Sequence, residues 1–103
     1  MKNWELSSGY IFSIEQAGRR IILCVYKDDN LLVCRREYLL QVKRSIEDPD
    51  VSRLFAGRLK LFKFGPDLHI ESQGQYIGTI SVDEFEEEVD VLIFASKETQ
   101  PEI

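Results

Sequence analysis

This sequence has no long apolar run, no CxxC motif and no features of a secretory signal. No apolar stretch approaches the ~20 residues that a membrane-spanning helix needs. The first residues, MKNWELSSGY, contain no apolar segment followed by a small-residue cleavage site. We therefore expect no membrane association and a cytoplasmic location. The 2 cysteines, Cys24 and Cys34, form no CxxC pair, and we expect two reduced, buried thiols.

Catalytic signatures are scarce as well. The chain has 1 histidine, and we find no nucleophile–base spacing and no glycine-rich phosphate loop. Asp67, His69 and Glu71 would project from one face of a strand, but a polar strand face that meets water explains them better than a metal site. The segment DEFEEEVD lacks the spaced ligands and central glycine of a calcium loop. We predict no enzymatic activity, no cofactor and no metal.

Apolar and charged residues are both plentiful, as in a globular protein. With 103 residues, 44% hydrophobic and 30% charged, the chain is large enough for one domain with its own core. The net charge of −5 is unevenly distributed: residues 1–60 carry +3 and residues 61–103 carry −8. Such asymmetry indicates either a nucleic-acid or partner surface, or a solvated acidic helix near the C-terminus.

Two successive blocks of the chain share their spacing. Shifting residues 9–47 forward by 47 positions places Gly18 on Gly65, each between two alternating apolar runs. The same shift superimposes apolar strand positions and one helix stripe: Phe12 and Ile14 on Leu59 and Leu61, Ile21 and Leu23 on Leu68 and Ile70, and Tyr38, Val42 and Ile46 on Phe85, Val89 and Ile93. This pattern indicates a degenerate tandem repeat.

Each repeat is predicted to be a strand meander followed by a helix. The predicted strands are Gly9–Glu15, Arg20–Lys27, Leu31–Cys34, Arg58–Phe64, Leu68–Ser72 and Tyr76–Ile80, with WEL as an added edge strand. Helices are expected over Arg36–Glu47 and from a capping box at Ser81 and Glu84 to about Val91, while residues 89–95 fit helix or strand. We predict an α+β fold with an antiparallel sheet and both helices packed on one face. One domain would span residues 1–96, with pseudo-repeats at about 9–47 and 56–94, and residues 97–103 would form a frayed tail.

The strand faces turned away from this core carry the candidate binding residues. With Leu59 and Leu61 inward, alternation turns Arg58, Lys60, Phe62 and Phe64 outward. In the first repeat Arg20 and Tyr26 face outward together with Ile22 and Cys24. Aromatic rings that stack on bases, interleaved with basic residues that neutralise phosphates, are what single-stranded nucleic acid requires. Contact with a second subunit or another protein is the competing interpretation.

Several segments resemble the repeat of the PUR-alpha family of single-stranded nucleic-acid-binding proteins. GYIFSIEQAGRRIILCV and LLVCRREYLLQVKRSIED are similar to its opening hairpin and to its strand-to-helix passage. YIGTISVDEFEEEVDVL resembles the same passage and its counterpart in Whirly-type proteins. The resemblance implies two intertwined units, usually with four strands each, that bind single-stranded DNA or RNA across a curved sheet, often as a homodimer.

The resemblance also implies a contact for Gln16, Arg19 and Arg20, which match the polar, basic turn of the PUR-alpha repeat. This chain departs from the family in having three clear strands per unit and Gly65, Pro66 and Asp67 where basic residues are expected. A sequence pI near 4.9 also opposes phosphate binding unless the charges are segregated.

Two functional hypotheses remain open. The first is a nucleic-acid-binding module. The second is a regulatory or adaptor protein that acts by protein contact, either through its sheet face or through its acidic helix, where Glu84, Glu86, Glu87 and Glu88 would dock on a basic partner.

Overall fold

Two four-stranded antiparallel sheets and two helices make up an α+β fold. This computed structural model describes residues 1–98, apart from the side chains of Ser8, Lys97 and Glu98. The first unit consists of β1 (Lys2–Glu5), a 3₁₀ helix (Ser7–Gly9), β2 (Tyr10–Ala17), β3 (Arg20–Lys27), β4 (Asn30–Tyr38) and α1 (Leu39–Glu47). The second unit consists of β5 (Arg53–Phe55), β6 (Leu59–Phe64), β7 (Asp67–Ser72), β8 (Gln75–Ser81) and α2 (Val82–Glu98). Strands follow chain order in both sheets, so the predicted tandem arrangement of meander and helix is confirmed.

Both sheets turn one apolar face toward a shared core. Alternation buries Ile21, Leu23 and Val25 on β3, and likewise Leu59 and Leu61 on β6. The helices complete this core with the buried residues Leu39, Val42, Ile46, Phe85 and Val89. Each such side chain contributes roughly 1.5–3 kcal/mol when fully buried, and one sheet with one helix cannot supply enough of them. The fold is therefore stable only with both units together.

The last hairpin of each unit has the same irregularity in the same place. Both hairpins turn through two residues of positive φ, Asp28 (51°) with Asp29 (66°) and Gln73 (53°) with Gly74 (81°). Two paired positions beyond each turn, a β-bulge inserts one extra residue into the second strand of the hairpin: Leu32 in β4, opposite Val25 and Tyr26, and Ile77 in β8, opposite Ile70 and Glu71. A shared turn and a shared bulge support the duplication.

The equivalence between the two helices differs from the predicted one. Strand β4 continues through Tyr38, so α1 begins at Leu39 rather than at Arg36. The first residues of the two helices, Leu39 and Val82, are 43 positions apart. The offset is smaller than 47 because β7 is two residues shorter than β3 and β8 is two residues shorter than β4. The predicted 47-residue offset therefore holds through the first hairpin turn but is one helical turn wrong at the helices. Val42 corresponds to Phe85 and Ile46 to Val89, and Tyr38 is an exposed strand residue.

Each sheet contains one strand more than the three that alternation predicts clearly. The edge strand expected at WEL is present as β1, which pairs with β2 from Lys2 opposite Ile14 to Glu5 opposite Ile11. In the second unit β5 was not predicted. It is only 3 residues long and pairs with β6 across a bulge, so it shows no alternation of its own. Four strands per unit is the number that the PUR-alpha resemblance implies.

Helix α2 resolves the ambiguity over residues 89–95, which are helical. One half of the predicted capping box is present, since the Glu84 backbone N–H donates to Ser81 Oγ at 3.2 Å, while the Glu84 carboxylate accepts the Trp4 indole N–H. Lys97 and Glu98 belong to this helix rather than to a frayed tail, and residues 99–103 lie outside the described part of the chain. Within residues 1–98, neither helix is long and apolar enough to cross a membrane.

The two units exchange contacts reciprocally. Helix α2 contacts β2 of the first unit, where the rings of Phe12 and Phe85 lie 6.2 Å apart, and α1 contacts β5 of the second unit. Trp4 Nε1 donates to Glu84 Oε2 at 3.3 Å, which links the first strand to the last helix. The Lys63 ammonium on β6 donates to three backbone carbonyls at the end of α1. These exchanged contacts make the units one intertwined body.

The expectation of two reduced thiols is wrong. Cys24 on β3 and Cys34 on β4 face each other in the ladder and form a disulfide on the outer face of the first sheet. The β4 bulge explains the pairing, because the extra residue it inserts shifts the register by one and brings Cys34 opposite Cys24. Cys24 is buried as predicted, whereas Cys34 is exposed.

Candidate nucleic-acid interface

The outer face of the second sheet carries the predicted basic and aromatic residues of β6. Because Leu59 and Leu61 are buried, Lys60, Phe62 and Phe64 project from the opposite side of the strand. Phe64 is 70% exposed, while Lys60 and Phe62 are half-buried by their neighbours on the same face. Alternation alone therefore predicted the orientation of these three side chains correctly.

Three rings form a diagonal row across this face. The ring of Phe64 on β6 lies 5.0 Å from the imidazole of His69 on β7, at an interplanar angle of 41°. The same imidazole lies 5.5 Å from the ring of Tyr76 on β8, at 49°. Phe64 and Tyr76 are strongly exposed, at 70% and 57%, so both ends of the row meet solvent. We call Phe64, His69 and Tyr76 the ring row.

Cationic side chains lie on the β5–β6 side of the ring row, while Asp67 and Glu71 flank His69 on β7. Arg53 lies opposite Phe62 in the β5–β6 pairing and is exposed. Lys60 faces Glu71, with Nζ and Oε1 3.9 Å apart, a distance at the limit of an ion pair. Arg58 is exposed just before β6 and lines a groove of about 500 Å³ at the junction of the two sheets, together with Arg36 and Cys34. A ligand on the ring row would therefore have guanidinium and ammonium groups beside it.

The structure places Asp67, His69 and Glu71 on one face of β7, as alternation predicts, but does not gather them around a common point. Among residues 1–98, no group of three or more histidine, cysteine, aspartate or glutamate side chains could hold a metal ion. The His69 imidazole instead lies between two aromatic rings. The contacts of His69 here are therefore tilted ring–ring contacts.

Most of the predicted binding residues on the first sheet are held by contacts of their own. Arg20 donates to the Tyr38 hydroxyl at 2.9 Å and lies over its ring at 4.7 Å from the centroid. Gln16 Nε2 donates to the Gly18 carbonyl at 2.9 Å, inside its own turn. Tyr26 is half-buried beside the disulfide. Arg19 lines a cavity beside the helices.

The acidic face of α2 is partly engaged with α1. Lys43 Nζ donates to Glu86 Oε2 at 2.9 Å and lies 2.8 Å from Asp90 Oδ1, and these hydrogen bonds raise the pKa of Lys43 above its ordinary value. Glu84 accepts the Trp4 indole N–H. Glu87 is exposed and Glu88 is half-buried. The structure thus separates the four predicted glutamates into two that hold the fold together and two that lie elsewhere on the helix.

Sequence reasoning missed Tyr76, the ring contacts of His69, and Arg53. Tyr76 lies next to the bulge in β8, where simple alternation fails. Arg53 lies on the unpredicted strand β5. His69 offered a signal, because its diagonal neighbours across a predicted hairpin include Phe64, and diagonal pairs lie within reach of aromatic side chains.

No protein-family model matches this chain, and neither a curated protein nor a solved structure matches it significantly. The resemblance to the PUR-alpha and Whirly-type families therefore stays a prediction.

Proposed function

We propose that this protein is a non-enzymatic module that binds single-stranded nucleic acid on the outer face of its second sheet. The observation that carries the proposal is the ring row, three neighbouring rings with both end members exposed. Stacking of a base on an aromatic side chain contributes about 1–3 kcal/mol and tolerates any base, because every base has a π-face. The proposed ligand is therefore a single strand without strict sequence preference.

Partial charge segregation reduces the objection raised by the acidic pI. The acidic residues of the second half are concentrated on α2, which packs on the inner faces of the sheets. The outer face of the second sheet carries Arg53, Arg58 and Lys60, against the two carboxylates Asp67 and Glu71 on β7. Phosphates that follow the ring row would contact these cations and stay away from the acidic helix. If all three cations neutralise phosphates, log affinity should fall with log salt concentration with a slope of about −2.

The proposal shifts emphasis from the first unit to the second. The resemblance places the contacts at Gln16, Arg19 and Arg20, yet Gln16 and Arg20 already donate to groups within the first sheet. On the first sheet the exposed cation and ring, Arg20 and Tyr38, are bound to each other, whereas the exposed rings of the second sheet, Phe64 and Tyr76, both contact His69. We therefore assign stacking to Phe64 and Tyr76, with half-buried Phe62 supporting the row.

Fluorescence anisotropy with a labelled oligothymidine of about 12 nucleotides tests the proposal. Phe64→Ala and Tyr76→Ala should each weaken binding by roughly 5- to 150-fold, since each removes one stacking contact. Tyr38→Ala is the matched control, because Tyr38 is also 57% exposed but lies on the first sheet. The proposal fails if the wild-type protein binds no oligonucleotide at low salt, or if Tyr38→Ala weakens binding as much as Tyr76→Ala does.

The adaptor hypothesis based on the acidic helix has less support. Glu84 and Glu86 already hold Trp4 and Lys43, so docking a basic partner on them would compete with contacts between the two units. Charge reversal at Glu86 would then disturb the fold as well as any docking, and Glu87→Arg is the cleaner probe of an acidic docking surface. Retained partner capture by Glu87→Arg would argue against docking through this helix.

A further inference from the structure

The outer surface of the helix layer exposes large apolar side chains on both helices. Leu40 on α1 is 56% exposed, and Val91 and Phe94 on α2 are 58% and 63% exposed. Val91 and Phe94 are three residues apart, so they share one side of α2. Clustered apolar exposure of this kind marks an interaction surface more often than a solvated one.

A cavity of about 520 Å³ opens beside these residues. Leu40 and Ile93 are on its wall, with Tyr38 and Leu39 from the first unit and Arg44 at its polar side. Phe94 follows Ile93 directly and projects from the same helix. The surface therefore carries an apolar projection next to an apolar recess large enough for a phenyl ring. A projection and a matching recess on one face are what a self-complementary interface needs.

The charges on this surface are complementary between the two helices. With Leu39 equivalent to Val82, the equivalent of Arg44 on α1 is Glu87 on α2, and both are exposed. In a dimer whose twofold axis lays α1 of one copy against α2 of the other, a contact between Arg44 and Glu87 would occur twice. The neighbouring pair of equivalents, Lys43 and Glu86, makes the same kind of contact within the chain at 2.9 Å.

We propose that the protein forms a symmetric homodimer through its helix layer, with Phe94 of each copy in the cavity of the other. Arg44 and Glu87 pair across the interface at its rim. Because the helices cover the inner faces of the sheets, this dimer leaves the ring rows of both copies open to solvent. The proposal does not depend on nucleic-acid binding.

Sedimentation equilibrium without nucleic acid tests the dimer. The wild-type protein should have twice the chain mass of 12.0 kDa, and Phe94→Glu should have the mass of one chain, because a carboxylate would be buried in the recess. Tyr76→Glu, which places the same charge on the exposed sheet face, should stay dimeric. Circular dichroism checks that each variant is folded, which is expected because both positions are exposed.

A charge swap separates this interface from any other arrangement. Arg44→Glu and Glu87→Arg should each raise the dimer dissociation constant by roughly 5-fold, since the pair occurs twice per dimer. The double variant should recover the wild-type constant. A wild-type protein that stays monomeric up to its solubility limit, a dimeric Phe94→Glu variant, or a double variant weaker than either single one would overturn the proposal. Anisotropy with Phe94→Glu shows separately whether nucleic-acid binding survives.

Discussion

Lys63 offers the sharpest test of how the two units are joined. It lies on β6, on the same inward side of the strand as Leu59 and Leu61, and its ammonium reaches the end of α1 in the other unit. There its Nζ donates to the backbone carbonyls of Ser45 at 2.9 Å, Ile46 at 3.2 Å and Asp48 at 2.6 Å. The Ser45 and Ile46 carbonyls are among the last of the helix and have no partner within it, and Asp48 follows the helix as its C-cap. The Asp48 carbonyl also accepts the Val51 backbone N–H at 3.2 Å, so the ammonium is most important for the other two carbonyls.

Lys63→Met keeps most of the aliphatic side chain and removes the three charged hydrogen bonds. A hydrogen bond to a charged group contributes about 1.5–3 kcal/mol, and a cation at a helix C-terminus adds about 0.3–1 kcal/mol. Since Lys63 is half-buried and water can solvate part of the freed helix end, we expect a total loss of about 2–3 kcal/mol in the free energy of unfolding.

Urea denaturation followed by circular dichroism measures this loss, with Lys60→Met as the matched control. Lys60 is on the same strand but the opposite face, where its Nζ approaches Glu71 Oε1 at 3.9 Å, a contact worth about 0–1 kcal/mol. Equal losses for the two variants would refute the conclusion that Lys63 stabilises the joint between units. A second, separate unfolding transition in Lys63→Met would show that the units also lose cooperativity.

Two further predictions concern stability. Reduction of the Cys24–Cys34 disulfide, which closes a sequence separation of 10, should lower the free energy of unfolding by about 2–3 kcal/mol; unchanged urea midpoints with and without a dithiol reductant would contradict this. Hydrogen bonds to Asp90 and Glu86 raise the pKa of Lys43, so its stabilising contribution is complete below the unfolded pKa of about 10.4 and is lost as pH rises through the folded value. Lys43→Met should therefore be less stable than wild type at about pH 7–9, with a gap that narrows above about pH 10.4; a constant gap would show that the variant acts through packing alone.

Alternation and turn chemistry were sufficient to predict the inner faces of the strands. Ile21 and Leu23 are buried as predicted, and Gly18 and Gly65 occupy equivalent turns with φ of 64° and 60°. These features depend on local rules, namely a side-chain period of two and a backbone that must reverse with positive φ. Features that follow from such local rules can be predicted from a single sequence.

Register and strand ends were not predictable in the same way. The segment around Arg36 and Tyr38 fits a helix face as well as a strand, and its pairing with β3 decides the outcome. Bulges next to Val25 and Ile70 change which residues face each other, which hid both the disulfide and the place of Tyr76 beside His69. A bulge is a property of two paired strands, so the pattern of one strand cannot reveal it.

The same distinction between features of one strand and features of paired strands applies to the candidate site. Phe64 and Lys60 were found by alternation within one strand, whereas the ring row needed pairing across β6, β7 and β8. The acidic helix was recognised from composition, but composition could not show that Lys43 lies between Glu86 and Asp90. Contacts between strands and between units are the part of the site that a single sequence does not predict.

The most direct test of the proposed function is the aromatic ¹H–¹³C NMR spectrum of the protein during titration with oligothymidine. Stacked bases should shift the ring protons of Phe64, His69 and Tyr76 progressively, while the ring protons of Tyr38 on the first sheet stay in place. Unchanged ring-row signals at saturating oligonucleotide, or shifts confined to Tyr38 and Tyr26, would contradict the assignment of binding to the second sheet.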